Sequence, residues 1–428
     1  MNERPTFVAR GMRLPFILLV ACFTAWGIAA NMTDPLVQVF SRIFSMSTFQ
    51  ASLVQFAYYG AYFLLALPAA FINRHYSYKT GLLTGLGLAI FGAFLFYPAS
   101  QVMTYGFFLA ALFCLAGGLS ILETSANPFV ISMGPEATAT RRLNLAQAFN
   151  PVGTNIGVLL SATWILPNLN PATDAERAAM PTAQLEAIRQ SELSAVMGPY
   201  VGLAFVLLAI WVVIAFKRMP RQAERHQDTV GRGFGDALGR LVRNRHYAFG
   251  VIAQFFNVAA QTCTWTFTIQ YVIGAIGGTE AQAGWYLQAS LILFLVARFV
   301  MVGLMTLIRP SRLLCAMAAL GVALCLFAAS VPTLAGIWAV LALSACLSLM
   351  FPTIYGIALQ GLGDDTKFGA AGLVMAIAGG AVMPMVQGAV LDQFGAALSF
   401  LVPAACFGVV VAYGIFDLSS ERRRHHGH

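Results

Sequence analysis

Apolar runs of about 18 to 28 residues recur from one end of this 428-residue chain to the other, each close to the roughly 20 residues a helix needs to cross hydrocarbon. The composition agrees. The chain is 59% hydrophobic and 10% charged, with a mean hydropathy of +0.75, more apolar surface than a soluble domain could hide from water. The runs predict about twelve spans, over 14–38, 48–72, 79–98, 104–133, 143–166, 198–217, 246–273, 281–307, 311–330, 333–361, 368–391 and 396–417. The expected fold class is therefore an all-α, multi-pass membrane protein of about twelve transmembrane helices. The first run is too long for a cleavable signal peptide, and no small-residue cleavage site precedes a hydrophilic mature domain, so it is expected to remain as a helix.

Basic residues set the expected orientation. Of the 25 Lys and Arg residues, all but Arg42, Arg177, Arg189 and Arg298 fall in the termini or in loops on one side, eight of them between Lys217 and Arg245. Such a bias places both termini in the cytoplasm. The net charge of +8 is then an insertion signal, and nucleic acid is excluded as a partner. The tail from Arg422 to His428 reads as a solvated end. Seven cysteines are scattered through apolar spans with no CxxC pair, and no His cluster has metal spacing, so neither a metal nor a cofactor is expected. A Walker-type loop, a GxSxG elbow and a nucleotide-binding domain are absent. The chain is not read as an enzyme, and transport would draw on an ion gradient or on the substrate's own. A monomer in the lipid bilayer is the expected state.

A hydrophilic stretch, 218–245, separates two halves that look like copies, 1–217 and 246–428. SILETSANPFVISMG from Ser120 parallels SLMFPTIYGIALQGLG from Ser348, each with an internal proline, Pro128 or Pro352, before a glycine exit. TFQASLVQFAYYGAYF in the second span echoes AQAGWYLQASLILFLV in the eighth. A parallel duplication of six spans with a pseudo-twofold axis along the membrane normal resembles the major facilitator architecture, and a substrate is then expected between the halves near the midplane.

Ionisable and amide residues inside the spans say what that substrate is. Glu123 sits in an almost uncharged run, where a carboxylate is costly unless it faces a cavity and has a function. Asp34, near the outer end of the first span, is its expected companion, three residues after Asn31. On the seventh span Gln254, Asn257, Gln261, Thr264 and Thr268 form one stripe at i, i+3, i+7, i+10 and i+14. The fifth span adds Gln147, Asn150 and Thr154, the second Gln55, Tyr58 and Tyr62, and the fourth Asn127, one turn after Glu123. Amides offer a donor and an acceptor together, as vicinal hydroxyls require, and a carboxylate can accept from two hydroxyls at once. Trp26, Trp265, Phe149 and Tyr355 could stack on the apolar face of a pyranose. A neutral sugar fits this set. The competing reading is that such polar residues bind helix to helix. Arg298, toward the cytoplasmic third of the eighth span, is expected to snorkel or pair at the adjoining loop, in a structural or gating role.

The run LETSANPFVISMGPEATATRRLNLAQAFNPVG, 122–153, resembles the corresponding segment of bacterial L-fucose–proton symporters, the fucose permeases of the major facilitator superfamily. AWGIAANMTDPL at 25–36, SYKTG at 77–81 and FPTIYGIALQGLGDDTKFG at 351–369 resemble it as well. The resemblance implies a bacterial inner-membrane carrier in which Asp34 is the proton-coupling acid and Glu123 takes part in both protonation and sugar binding. It also implies sugar recognition by Gln147 and Asn150. Pro151 departs from the pattern, since fucose permeases more often have Ser there. L-fucose, galactose, glucose and N-acetylhexosamines all stay open, as do sodium coupling and uniport. A multidrug exporter of the same fold is disfavoured by the Asn/Gln stripe.

Overall fold

The computed structural model describes residues 7–43, 48–172, 174–219 and 233–426, and among them every regular element is helical. The longer helices are α1 (Arg13–Ile43), α2 (Thr48–His75), α3 (Tyr78–Val102), α4 (Tyr105–Ser132), α5 (Ala139–Gln147), α6 (Phe149–Leu160), α7 (Asp174–Ala178), α8 (Thr182–Phe216) and α9 (Phe234–Arg243). They continue as α10 (Arg245–Ile276), α11 (Glu280–Leu304), α12 (Pro310–Ser330), α13 (Leu334–Leu347), α14 (Met350–Ala358), α15 (Thr366–Met375), α16 (Gly379–Phe394), α17 (Ala396–Ser399) and α18 (Leu401–His426).

Ten helical spans among the described residues are long and apolar enough to cross a bilayer. The two predicted spans outside that set, the fifth and the seventh, carry most of the candidate amides. The seventh, α10, has the length, but its polar stripe lowers its hydropathy. The fifth is broken into α5 and α6, neither long enough alone. With these two the count is the expected twelve, an all-α membrane protein. The eleventh span is also interrupted, by a 3₁₀ turn at Ala376–Ala378 between α15 and α16, and the tenth divides into α13 and α14 just before Pro352. One boundary moves substantially: the helix of the sixth span begins at Thr182 rather than 198 and follows the short helix α7. There Arg177 and Glu192 form a buried ion pair, Nη1 to Oε2 3.0 Å, and Arg177 also donates to the carbonyls of Ala172 and Asn170.

The described residues fall into two compact units, one from Ile17–Ala126 and Phe149–Met219, the other from 7–16, 127–148 and 233–426. In the first, α3 runs along α8 and α2. Helices α1 and α6 touch backbone to backbone, since a methyl group at Gly27 would strike the Asn150 carbonyl and one at Gly153 the Thr24 carbonyl. Small residues permit that approach where lipid supplies no hydrophobic drive between helices. In the second, α10 packs against α11, α13, α14, α16 and α18 around a core that includes Ala253, Ala260, Leu343, Ile354 and Phe407. Side chains fix the register of α10 and α11 at their starts. Asn244 accepts from the amides of His246 and Tyr247, and Thr279 with Gln282 makes a reciprocal capping box.

Candidate functional site

In α4, proline chemistry prepares the turn that bears Glu123. Pro128 has no N–H, so the Thr124 carbonyl four residues back loses its helical partner. Asn73 Nδ2 reaches that carbonyl at 3.4 Å, and Ser125 Oγ donates to Asn73 Oδ1 at 2.9 Å. Immediately before Thr124, Glu123 is fully buried and within electrostatic reach of the Tyr62 phenol. Tyr62 gathers the rest of this cluster. Its hydroxyl accepts from Trp26 Nε1 at 2.9 Å, its carbonyl accepts from Ser120 Oγ at 2.8 Å, and its ring lies 5.3 Å from that of Tyr58. The structure thus brings Trp26, Tyr58 and Glu123 together around Tyr62.

The α1–α6 contact places Asn31 beside the fifth span. Asn31 Nδ2 donates to the Gly27 carbonyl and to Thr154 Oγ1, both at 3.0 Å, and Asn150 Nδ2 donates to the Phe23 carbonyl at 3.4 Å. Asp34 has its backbone in α1. Its side chain, like that of Gln55, lies outside the described residues.

The second unit holds the other amides. Gln147 Nε2 donates to Asn127 Oδ1 at 2.8 Å, with both residues buried. Pro151 removes the N–H that would have bonded the Gln147 carbonyl, and Arg298 Nη1 donates to it at 3.3 Å. On α10 the predicted stripe faces protein, as expected: Gln254, Asn257, Thr264 and Thr268 are fully buried and Gln261 is half-buried. Gln254 Nε2 donates to the Phe351 carbonyl at 3.3 Å and Asn257 Nδ2 to Gln254 Oε1 at 3.4 Å. Asn257 Oδ1, Thr264 Oγ1 and Asn127 Nδ2 are buried with no hydrogen-bond partner among the described residues.

Two aromatics named for ring stacking have other engagements. Trp265 donates from Nε1 to Ser344 Oγ at 3.0 Å and meets the Phe294 ring edge-on at 5.0 Å. Tyr355 is fully buried, stacked on Phe351 and donating to the Ala370 carbonyl at 3.3 Å. Arg298 departs from the snorkelling that its place in the span predicts. It does not snorkel: it is 4% exposed, with its guanidinium 4.7 Å from the Phe294 ring centroid. The signal was available, because an isolated cation in an apolar span is as costly as an isolated carboxylate.

A family model for the Major Facilitator Superfamily matches residues 16–377. The chain is 39% identical over 414 residues to an L-fucose-proton symporter of Haemophilus influenzae, covering 94% of this chain and 96% of that one. It is 33% identical over 404 residues to a glucose/galactose transporter of Brucella abortus, covering 94% and 93%. Among solved structures it resembles the crystal structure of the transporter FucP in its outward conformation, with a TM-score of 0.89 and 36% identity over 95% of this chain and 99% of that one. Twelve helical spans, buried amides on those least able to face lipid, and similarity along nearly the whole length lead to one assignment: the chain belongs to the Major Facilitator Superfamily.

Proposed function

We propose that this protein is a secondary active transporter that imports a neutral monosaccharide, L-fucose or a related hexose, by proton symport with alternating access. The observation that carries the reading is Glu123. A fully buried carboxylate within electrostatic reach of a phenol, in a chain similar along nearly its whole length to an L-fucose-proton symporter, can bind a proton and a hydroxyl in the same place. Asp34 and Glu123 are the proton-coupling acids of this proposal. Asn31, Glu123, Gln147, Asn150, Tyr58, Asn257, Gln261 and Thr264 supply hydrogen bonds to the sugar, and Trp26, Trp265 and Tyr355 shape its surroundings. Unsatisfied amide and hydroxyl atoms on Asn127, Asn257 and Thr264 support a ligand rich in hydroxyls, since buried polar groups without partners are costly.

In the cycle we infer, both acids are protonated from the outer side. Neutralising them lowers the cost of enclosing them away from water, so the loaded carrier can open to the other side. Deprotonation in the more alkaline cytoplasm loosens the sugar and resets the carrier. Halves 1–217 and 246–428 joined by the linker 218–245, cytoplasmic termini, a monomer and a bacterial inner membrane complete the proposal. The likeness to a glucose/galactose transporter supports a second choice of substrate, a hexose other than fucose.

Uptake of labelled L-fucose, galactose, glucose and N-acetylglucosamine into proteoliposomes, with and without an inward acid gradient, tests both points. Accumulation of one of these sugars only with the gradient is expected. Sugar uptake indifferent to pH, or driven by sodium instead, would remove the proton from the mechanism.

A further inference from the structure

We propose that Arg298 is a sugar-binding residue whose guanidinium donates to an oxygen of the transported monosaccharide; this rests on the sugar-transport reading above. Its burial within α11 is the first reason. A guanidinium in that setting is always charged and must be compensated. Among the described residues its hydrogen bonding comes to one bond, to the Gln147 carbonyl at 3.3 Å, long for a charged donor, while Nε is buried without a partner.

The second reason is how firmly the group is held. Phe294, one turn earlier on α11, lies under the guanidinium, and Trp265 packs edge-on against Phe294. Trp265 is itself tied to Ser344, whose hydroxyl pairs with that of Ser290 at 2.5 Å. Such a chain presents the cation in one orientation, as recognition requires and lipid-facing snorkelling does not.

The third reason is the neighbourhood. Gln147 accepts from Arg298 through its carbonyl and donates through its side chain to Asn127, whose own Nδ2 is unspent. Two buried donors, Arg298 Nε and Asn127 Nδ2, therefore belong to residues bonded to Gln147. A monosaccharide offers hydroxyl oxygens as acceptors, and the planar guanidinium fork suits an adjacent pair of them.

Equilibrium binding of L-fucose, galactose and their single-deoxy analogues to the purified full-length protein tests this, in wild type, Arg298→Gln and Arg298→Lys. Arg298→Gln is expected to weaken the parent sugar about ten- to hundredfold, the range for loss of a charge-assisted hydrogen bond. One deoxy analogue, lacking the hydroxyl that Arg298 holds, should bind wild type and variant alike. Arg298→Lys keeps the charge but loses the fork, and provides the same comparison if the glutamine variant does not fold. Equal weakening of every analogue, or no weakening, would overturn the assignment while leaving sugar transport standing. A wild type that binds no monosaccharide would overturn both.

Discussion

At the scale of single residues, buried charge does the selecting. Replacing Asp34 with Asn leaves a side chain that cannot release a proton. We expect loss of uphill uptake driven by a pH gradient with sugar exchange across the membrane retained, and uphill uptake in that variant would refute the coupling role. If Glu123 binds both proton and sugar as proposed, Glu123→Gln should shift both affinity and gradient dependence; unchanged affinity in a binding titration would argue against the contact. Arg142 makes a different kind of prediction. Its fully buried guanidinium donates to the carbonyls of Val130 at 2.8 Å, Ile131, Gly134 and Phe7, including groups the C-terminus of α4 leaves unpaired. Arg142→Ala should cost about 3 kcal/mol or more in stability by removing that shared charged donor from several carbonyls at once, seen as earlier loss of the folded peak on heating in detergent. Lysine, with one point charge in place of a fork, should recover only part of it.

At the scale of elements, the informative places are where helices break or nearly touch. Pro128 and Pro151 each release a carbonyl, and the structure supplies Asn73 to one and Arg298 to the other. Sequence showed the prolines; it could not show who answers them, because both partners are more than 50 residues away along the chain. The stripe on α10 was legible from spacing alone, since a helix fixes which residues share a face. Its split between internal bonds and unspent atoms was not, because that depends on fractions of an ångström at α14. Gly153 carries the prediction at this scale. Gly153→Val should force α6 away from α1, breaking the Asn31 to Thr154 bond, with an overpacking cost of about 1–3 kcal/mol or more and weaker sugar binding. Gly202→Ala, in open space on α8, is the control and should behave as wild type in the same thermal and binding assays.

For the whole molecule, orientation follows from charge. The bias of Lys and Arg toward one side predicts that a fluorescent protein fused after the last residue glows in cells and an alkaline phosphatase fused there stays inactive; the reverse pattern would invert the topology. Membrane residence and helix count were both written in the sequence. Lipid enforces them, because a span must be apolar over about 20 residues and must satisfy its own backbone, and these are local, countable properties. The same constraint singled out Glu123, since one carboxylate in such a run stands out against its neighbours. What only the tertiary structure decided is which polar groups meet. Trp26 and Glu123 converge on Tyr62, Trp265 turns out to brace Phe294, and Arg298 proves buried against α5 rather than drawn to water. Those pairings join helices distant in sequence, and hydrogen bonds discriminate over tenths of an ångström, a precision that periodicity along one helix does not contain.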